Sequence, residues 1–267
     1  MSIIIECDEL AKRLNETNLV VIDLCNNKTW QQVHIPNAVH IDYPQIIHVE
    51  KPVMGLLPDA NNFSQLLASI GVNNNSYIVA YDDEGGGKAS RLLWTLSAFG
   101  FNNYSLLNGG LMAWINEGWP LEKEAPVSKQ GDFNIEGALS PAVTQREDIL
   151  ANLNNEKSQL LDARSQAEYN GEKKFASRAG HIPGAIHFDW MELMDPCQHG
   201  RLKKPDALNQ ALSERGFSKD KHIICYCHTH HRSALSFIAL KSLGYNNISG
   251  YPGSWSDWGN SDETPIE

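Results

Sequence analysis

The chain is one pattern written twice, and that repetition limits what its 267 residues can fold into more than any other feature. In the first half, Asn18 to Leu24 (NLVVIDL) is an apolar, β-branched run closing on Asp23, and the turn-like stretch His34-Ile35-Pro36-Asn37-Ala38 follows it. A helical period around Phe63 to Ile70 stops at Gly71. The run Tyr77-Ile78-Val79-Ala80-Tyr81 predicts a second strand, which meets the loop Asp82-Asp83-Glu84-Gly85-Gly86-Gly87. A helix from about Ala89 to Phe99 ends at Gly100, Tyr104 to Leu107 is another short strand, and Gly109-Gly110 opens a helix carrying Trp114.

The same order returns after residue 140. Gln159 to Ala163 (QLLDA) closes on Asp162, and Gly180-His181-Ile182-Pro183-Gly184-Ala185 echoes the earlier HIPNA stretch. A helical pattern from Leu208 to Glu214 ends at Gly216, and a strand from His222 to Tyr226 leads into a polar loop and a helix. Nine residues separate Gly100 from Gly109 and nine separate Gly244 from Gly253; Trp114 and Trp258 each lie five residues further on. Two homologous domains follow, at 1–125 and 141–267, with 126–140 as a polar linker lacking an apolar period. Strands alternating with helices predict the α/β class, an open parallel sheet covered on both faces, with reactive loops at the carboxyl ends of strands.

One such loop carries unusual chemistry. In KHIICYCHTHHRSALSFIALKSLGY (221–245), Cys227 stands where the strand gives way to His228, Thr229, His230, His231 and Arg232, and Ser233 is placed to begin the helix. Backbone N–H groups at a helix start, a guanidinium and three imidazoles all favour thiolate over thiol, and the thiolate is the nucleophile. Cys227 is therefore the candidate nucleophile. Superimposing the halves puts Asp82 opposite Cys227 and Tyr81 opposite Tyr226, so the first half reads as chemically silent. Cys225, within the apolar strand, reads as a buried structural cysteine. The Cys/His cluster lacks the second separated ligand pair of a structural zinc site, so no metal is expected.

The formal charge is −10 and the pI about 5.4, which argues against nucleic acid or an anionic membrane as partner. Neither a signal-like h-region nor an apolar run of spanning length occurs. Five scattered cysteines fit a reducing cytoplasm better than a disulfide framework.

The residues carry a resemblance. Asp162-Ala163-Arg164 with Glu168-Tyr169, the GHIPGA stretch from Gly180, the Cys227 loop and Tyr251-Pro252-Gly253-Ser254-Trp255-Ser256-Asp257-Trp258-Gly259 together resemble a two-domain rhodanese. The first half adds Tyr81-Asp82-Asp83 and Asn108-Gly109-Gly110, and the loop CHTHHRS is similar to that of bacterial members with a CQTHHRS-type loop. The resemblance implies two domains, each a five-stranded parallel sheet flanked by helices, of which only the second is active. It implies that Cys227 takes the sulfane sulfur of thiosulfate as a persulfide and passes it to cyanide or a thiol, without metal or organic cofactor. It implies also a monomer with its active cleft between the halves, and an aromatic near the site mouth, at Trp190.

Many eukaryotic members have an arginine at the place of Glu168, so anion binding here must rely more on the loop. A bulky, cationic loop favours an inorganic sulfur anion; 3-mercaptopyruvate is the alternative donor. Arg232 at a helix start opposes the macrodipole and needs a compensating partner, either a substrate anion or a buried carboxylate such as Asp162 or Glu168. His230 and His231 either donate to substrate or solvate the loop rim, Arg164 reads as a structural ion-pair partner, and Trp190 could equally pack the core. Cysteine phosphatases and arsenate reductases are the competing class, but they place five residues between Cys and Arg where this chain has four. A carrier that takes one sulfur and stops is the third reading.

Overall fold

The computed structural model describes residues 2–127, 129–153 and 155–267 and divides them into two units. The first comprises the chain up to Ile46, Pro58–Leu139 and Asp195–Leu202. Its sheet contains β1 (Ile4–Ile5), β2 (Leu19–Asp23), β3 (Val39–His40), β4 (Tyr77–Tyr81) and β5 (Tyr104–Leu107) in the order β1-β5-β4-β2-β3, every neighbour parallel. All five residues of β4 are buried, as a strand covered on both faces demands. Helix α1 (Ala60–Ser69) starts on Asp59, whose side chain accepts from Asn62 N, and α2 (Gly87–Ala98) follows the Asp82 loop. Nearly every residue of α2 is buried, which explains why its sequence shows so little polar face.

The second unit comprises Ile47–Leu57, Ser140–Met194 and Lys203–Glu267. Strands β6 (Ser158–Asp162), β7 (Ile186–His187), β8 (His222–Tyr226) and β9 (Ile248–Gly250) are parallel in the order β9-β8-β6-β7. The fifth strand is cut down to one bridge, Val143 to Gly250, with Thr144 N donating to Gly250 O and Gly250 N to Ala142 O. Helices α3 (Gln166–Tyr169), α4 (Pro205–Glu214), α5 (Arg232–Ser242) and α6 (Ser254–Trp258) complete the unit. Ile182, Ile224, Tyr226, Tyr251, Trp255 and Trp258 form a buried cluster beneath the sheet's carboxyl end.

The register confirms the repeat at single-residue level. Asp23 pairs with Tyr81 in the first sheet and Asp162 with Tyr226 in the second. The Tyr81 hydroxyl accepts from Ile35 N at 3.1 Å and that of Tyr226 from Ile182 N at 3.3 Å, so each HIP turn is tied to the same strand end. Two short segments leave the half that encodes them. The antiparallel hairpin His48–Glu50 with Val53–Leu56 groups with the second unit, and Asp195–Leu202 groups with the first.

Candidate active site

Cys227 lies at the carboxyl end of β8, is 1% exposed, and is followed by a tight loop that enters α5 at Arg232. The Tyr251–Gly259 stretch holds that loop by its backbone. Cys227 N donates to Ser254 Oγ at 3.2 Å, while Trp255 N donates to Cys227 O at 3.0 Å and Ser256 N to His228 O at 2.9 Å. These bonds turn the loop carbonyls towards α6 and leave the amides of Thr229 and Ser233 to donate to Cys227 Sγ. The 47–57 segment buttresses the other side. Gly55 has φ +73°, and a Cβ there would stand 2.1 Å from Thr229 O, so only glycine fits. Ser256 Oγ accepts from Met54 N at 2.9 Å and fixes the segment in place.

Burial pushes the Cys227 thiol up, but the Arg232 charge, the Ser233 hydroxyl and the N–H groups of Ser233 and Thr229 outweigh it, and the net direction is down. Ser233 Oγ is also 2.8 Å from His230 Nδ1. When the hydroxyl proton points at sulfur, its oxygen accepts from His230 in the Nδ1–H tautomer. His230 is fully buried, at φ +53°, so it does not reach the loop rim. Cys225 is fully buried too, and burial pushes its thiol up: the two cysteines of one strand end are driven in opposite directions.

Arg232 and Glu168 form a two-pronged pair, NH1 to Oε2 at 2.7 Å and NH2 to Oε1 at 2.8 Å. Glu168 is 3% exposed and also accepts from Ser165 N and Ser165 Oγ. Burial alone would raise its pKa; Arg232 and Ser165 bring it down to about 2. Of the two carboxylates open to Arg232 from sequence, Glu168 takes it, because Asp162 is already filled. Asp162 accepts from Arg164 Nε and NH2 and, at 2.6 Å, from Tyr226 OH. Arg164 NH2 also donates to Gly180 O, and its guanidinium lies 4.4 Å from the Trp255 ring, the structural role expected of it.

The rim is more aromatic than the sequence suggests. His228 stands tilted against Phe175 at 5.7 Å, its Nδ1 buried without a hydrogen-bond partner among the described residues, and burial and Arg232 push its pKa down. Arg232 supplies a positive charge of this loop that acts on Cys227. Trp190 is half-buried and faces His231 at 6.0 Å, beside the loop rather than in the core. Among the described residues no group of three or more His, Cys, Asp or Glu side chains could hold a metal ion, and no helix is long and apolar enough to cross a membrane.

A doubled parallel α/β unit with a buried thiol whose pKa is driven down at one strand end is an arrangement suited to a cysteine-dependent enzyme. The rhodanese-like domain description matches residues 6–117 and 145–261. The thiosulfate sulfurtransferases of Pseudomonas aeruginosa and Azotobacter vinelandii are each 38% identical over 267 residues, spanning 100% of this chain and 97% of theirs. The crystal structure of SseA from Escherichia coli, a 3-mercaptopyruvate sulfotransferase, superimposes with a TM-score of 0.84 at 30% identity, covering 96% of this chain and 99% of that one. The chain belongs to the rhodanese family.

Sequence reasoning missed Gly55, Ser254, Ser256 and Phe175 as neighbours of the loop. Ser254 and Ser256 carried one signal, their place in the GSWSDWG stretch; Ser254 adopts φ +49°, unusual for serine. Gly55 and Phe175 meet the loop across long sequence separations and left no local mark.

Proposed function

We propose that this chain is a thiosulfate sulfurtransferase acting through a persulfide on Cys227. The observation that carries the reading is a fully buried thiol whose pKa is nonetheless driven down by neighbours that all address sulfur. The Cys227 thiolate attacks the sulfane sulfur of thiosulfate, the S–S bond breaks, and sulfite leaves with the electron pair. A singly charged persulfide remains where a singly charged thiolate stood, so the same amides and Ser233 hydroxyl serve both states. Cyanide or a thiol then attacks the outer sulfur and restores the thiolate. The atoms balance without a metal or organic cofactor.

His228, Thr229, His230, His231, Arg232 and Ser233 form the loop around the reacting sulfur, with Trp190 at its edge. The first half is silent because Asp82 occupies the nucleophile's position. Four intervening residues between Cys227 and Arg232 favour a sulfane sulfur over a tetrahedral phosphate. All five cysteines are unpaired, which supports a reducing, cytoplasmic setting.

Steady-state thiocyanate formation from thiosulfate and cyanide tests the reading, with Cys227→Ala as control. Continuing turnover, a mass gain of one sulfur on the wild type and loss of both in the variant are expected. A single round that stops would make the chain a carrier, and comparable hydrolysis of p-nitrophenyl phosphate would move it to the phosphatase class.

A further inference from the structure

Glu168 is the charged residue whose purpose the transfer chemistry leaves unexplained. It brings a buried negative charge close to a site that must accept an anion. The two terminal nitrogens of Arg232 form the edge with which a guanidinium grips a carboxylate or sulfonate in two-pronged fashion, and both are spent on Glu168. The carboxylate is held from behind by Ser165 N and Oγ and is 3% exposed, so the pair is built, not incidental.

We infer that Glu168 is a positioning and specificity-determining residue: it closes the gripping edge of Arg232, so that the arginine acts on Cys227 as a fixed charge and does not seize the donor anion. The inference rests on the sulfurtransferase reading and assigns a task within the same site. The groups whose charge meets the guanidinium are Glu168 from α3, Asp162 from β6 and Cys227 in the loop, with His228 and Asp189 also within its field. Asp162 is committed to Arg164 and Tyr226, so it is not placed to replace the Glu168 charge.

The consequence is a compromise. A free arginine fork would bind thiosulfate tightly and would hold the persulfide anion as tightly, slowing its surrender to the acceptor. A neutralised one keeps the thiolate ionised at a lower cost in release. The Glu168 carboxylate thus sets how strongly the site holds either anion.

The test uses the full chain with Glu168→Gln and Glu168→Asp, reading two quantities: the pH profile of Cys227 alkylation by iodoacetamide, and KM against kcat for thiosulfate with cyanide. In Glu168→Gln the alkylation profile moves to lower pH, KM for thiosulfate falls roughly three- to tenfold, and kcat does not rise. Glu168→Asp keeps the charge but is too short to meet both nitrogens, so its alkylation profile stays near wild type while KM falls part of the way. An unmoved or upward-shifted profile in Glu168→Gln, with KM unchanged or raised, would show that Glu168 only props the loop. If that variant does not fold, an unchanged KM in Glu168→Asp overturns the inference. Alkylation reads the thiol whether or not sulfur is transferred. A wild type that makes no thiocyanate would therefore sink the functional reading and leave the Glu168 question to the alkylation profile.

Discussion

The Asp82 and Cys227 loops sit at equivalent strand ends, each before a buried helix, and differ in what fills the cradle. In the first, Asp82 Oδ1 accepts from Glu84 N and Gly86 N at 2.9 and 2.8 Å, and Oδ2 from Ala89 N at 2.9 Å. In the second, amides of Thr229 and Ser233 address a sulfur. Both cradles surround one acidic side chain. The first holds a carboxyl group, pushed up in pKa by burial while three amides pull it down; the second holds a thiol whose net direction is down. The support behind each also differs: residue 25 is Cys where residue 164 is Arg, so Asp23 lacks the guanidinium that steadies Asp162.

The sharpest way to break this comparison is to copy the first loop into the second. Cys227→Asp is expected to fold, with its carboxylate accepting from the same amides, and to lose sulfur transfer by about a thousandfold or more, as loss of a covalent nucleophile does. Thiocyanate formation and a melting curve check both halves of that statement; measurable turnover would mean the cradle is not where the chemistry occurs.

Ser233→Ala keeps the nucleophile and removes one bond to it. Its thiol pKa rises towards the ordinary cysteine value, and alkylation at pH 6 slows by about tenfold relative to wild type. The sign follows from the wild-type shift: a thiol pushed down keeps its thiolate as pH falls below the ordinary range, and loses it only on passing the lowered pKa. The variant loses it at higher pH. Coincident profiles for the two proteins would remove the hydroxyl from the account.

The smallest effect belongs to the first loop. Asp82→Ala leaves three amide donors without an acceptor and should lower stability by about 1–3 kcal/mol while sulfur transfer stays within roughly twofold. Thermal melting and turnover measured on the same preparation decide it, and a large loss of activity would show that the first loop is not silent.

Much of this was legible in the sequence because it is written locally. The strands, the repeated order of elements, the Cys227 junction and a structural ion pair for Arg164 all follow from periodicity or short spacing; that its partner is Asp162 came only with the structure. Arg232 could be narrowed to a substrate anion or one of two carboxylates but no further, since spacing does not reveal that Tyr226 and Arg164 have already taken Asp162. The setting of His228 was hidden because residue type alone carries no burial; its burial and the Arg232 charge push its pKa down. The 47–57 segment was invisible because its first strand, HVE, is exposed throughout and shows no inward face. Its place depends on one glycine meeting one carbonyl across 174 positions of chain.

That glycine has a practical consequence. A fragment beginning at Ser140 would encode Cys227, its loop and helix and the GSWSDWG stretch, yet would lack the hairpin on which Thr229 rests. The ribosome makes the hairpin long before the loop exists, and it stays without its seat until Ser256 has been added. Anyone seeking the smallest working piece of this chain must carry residues 47–57 along with the second half.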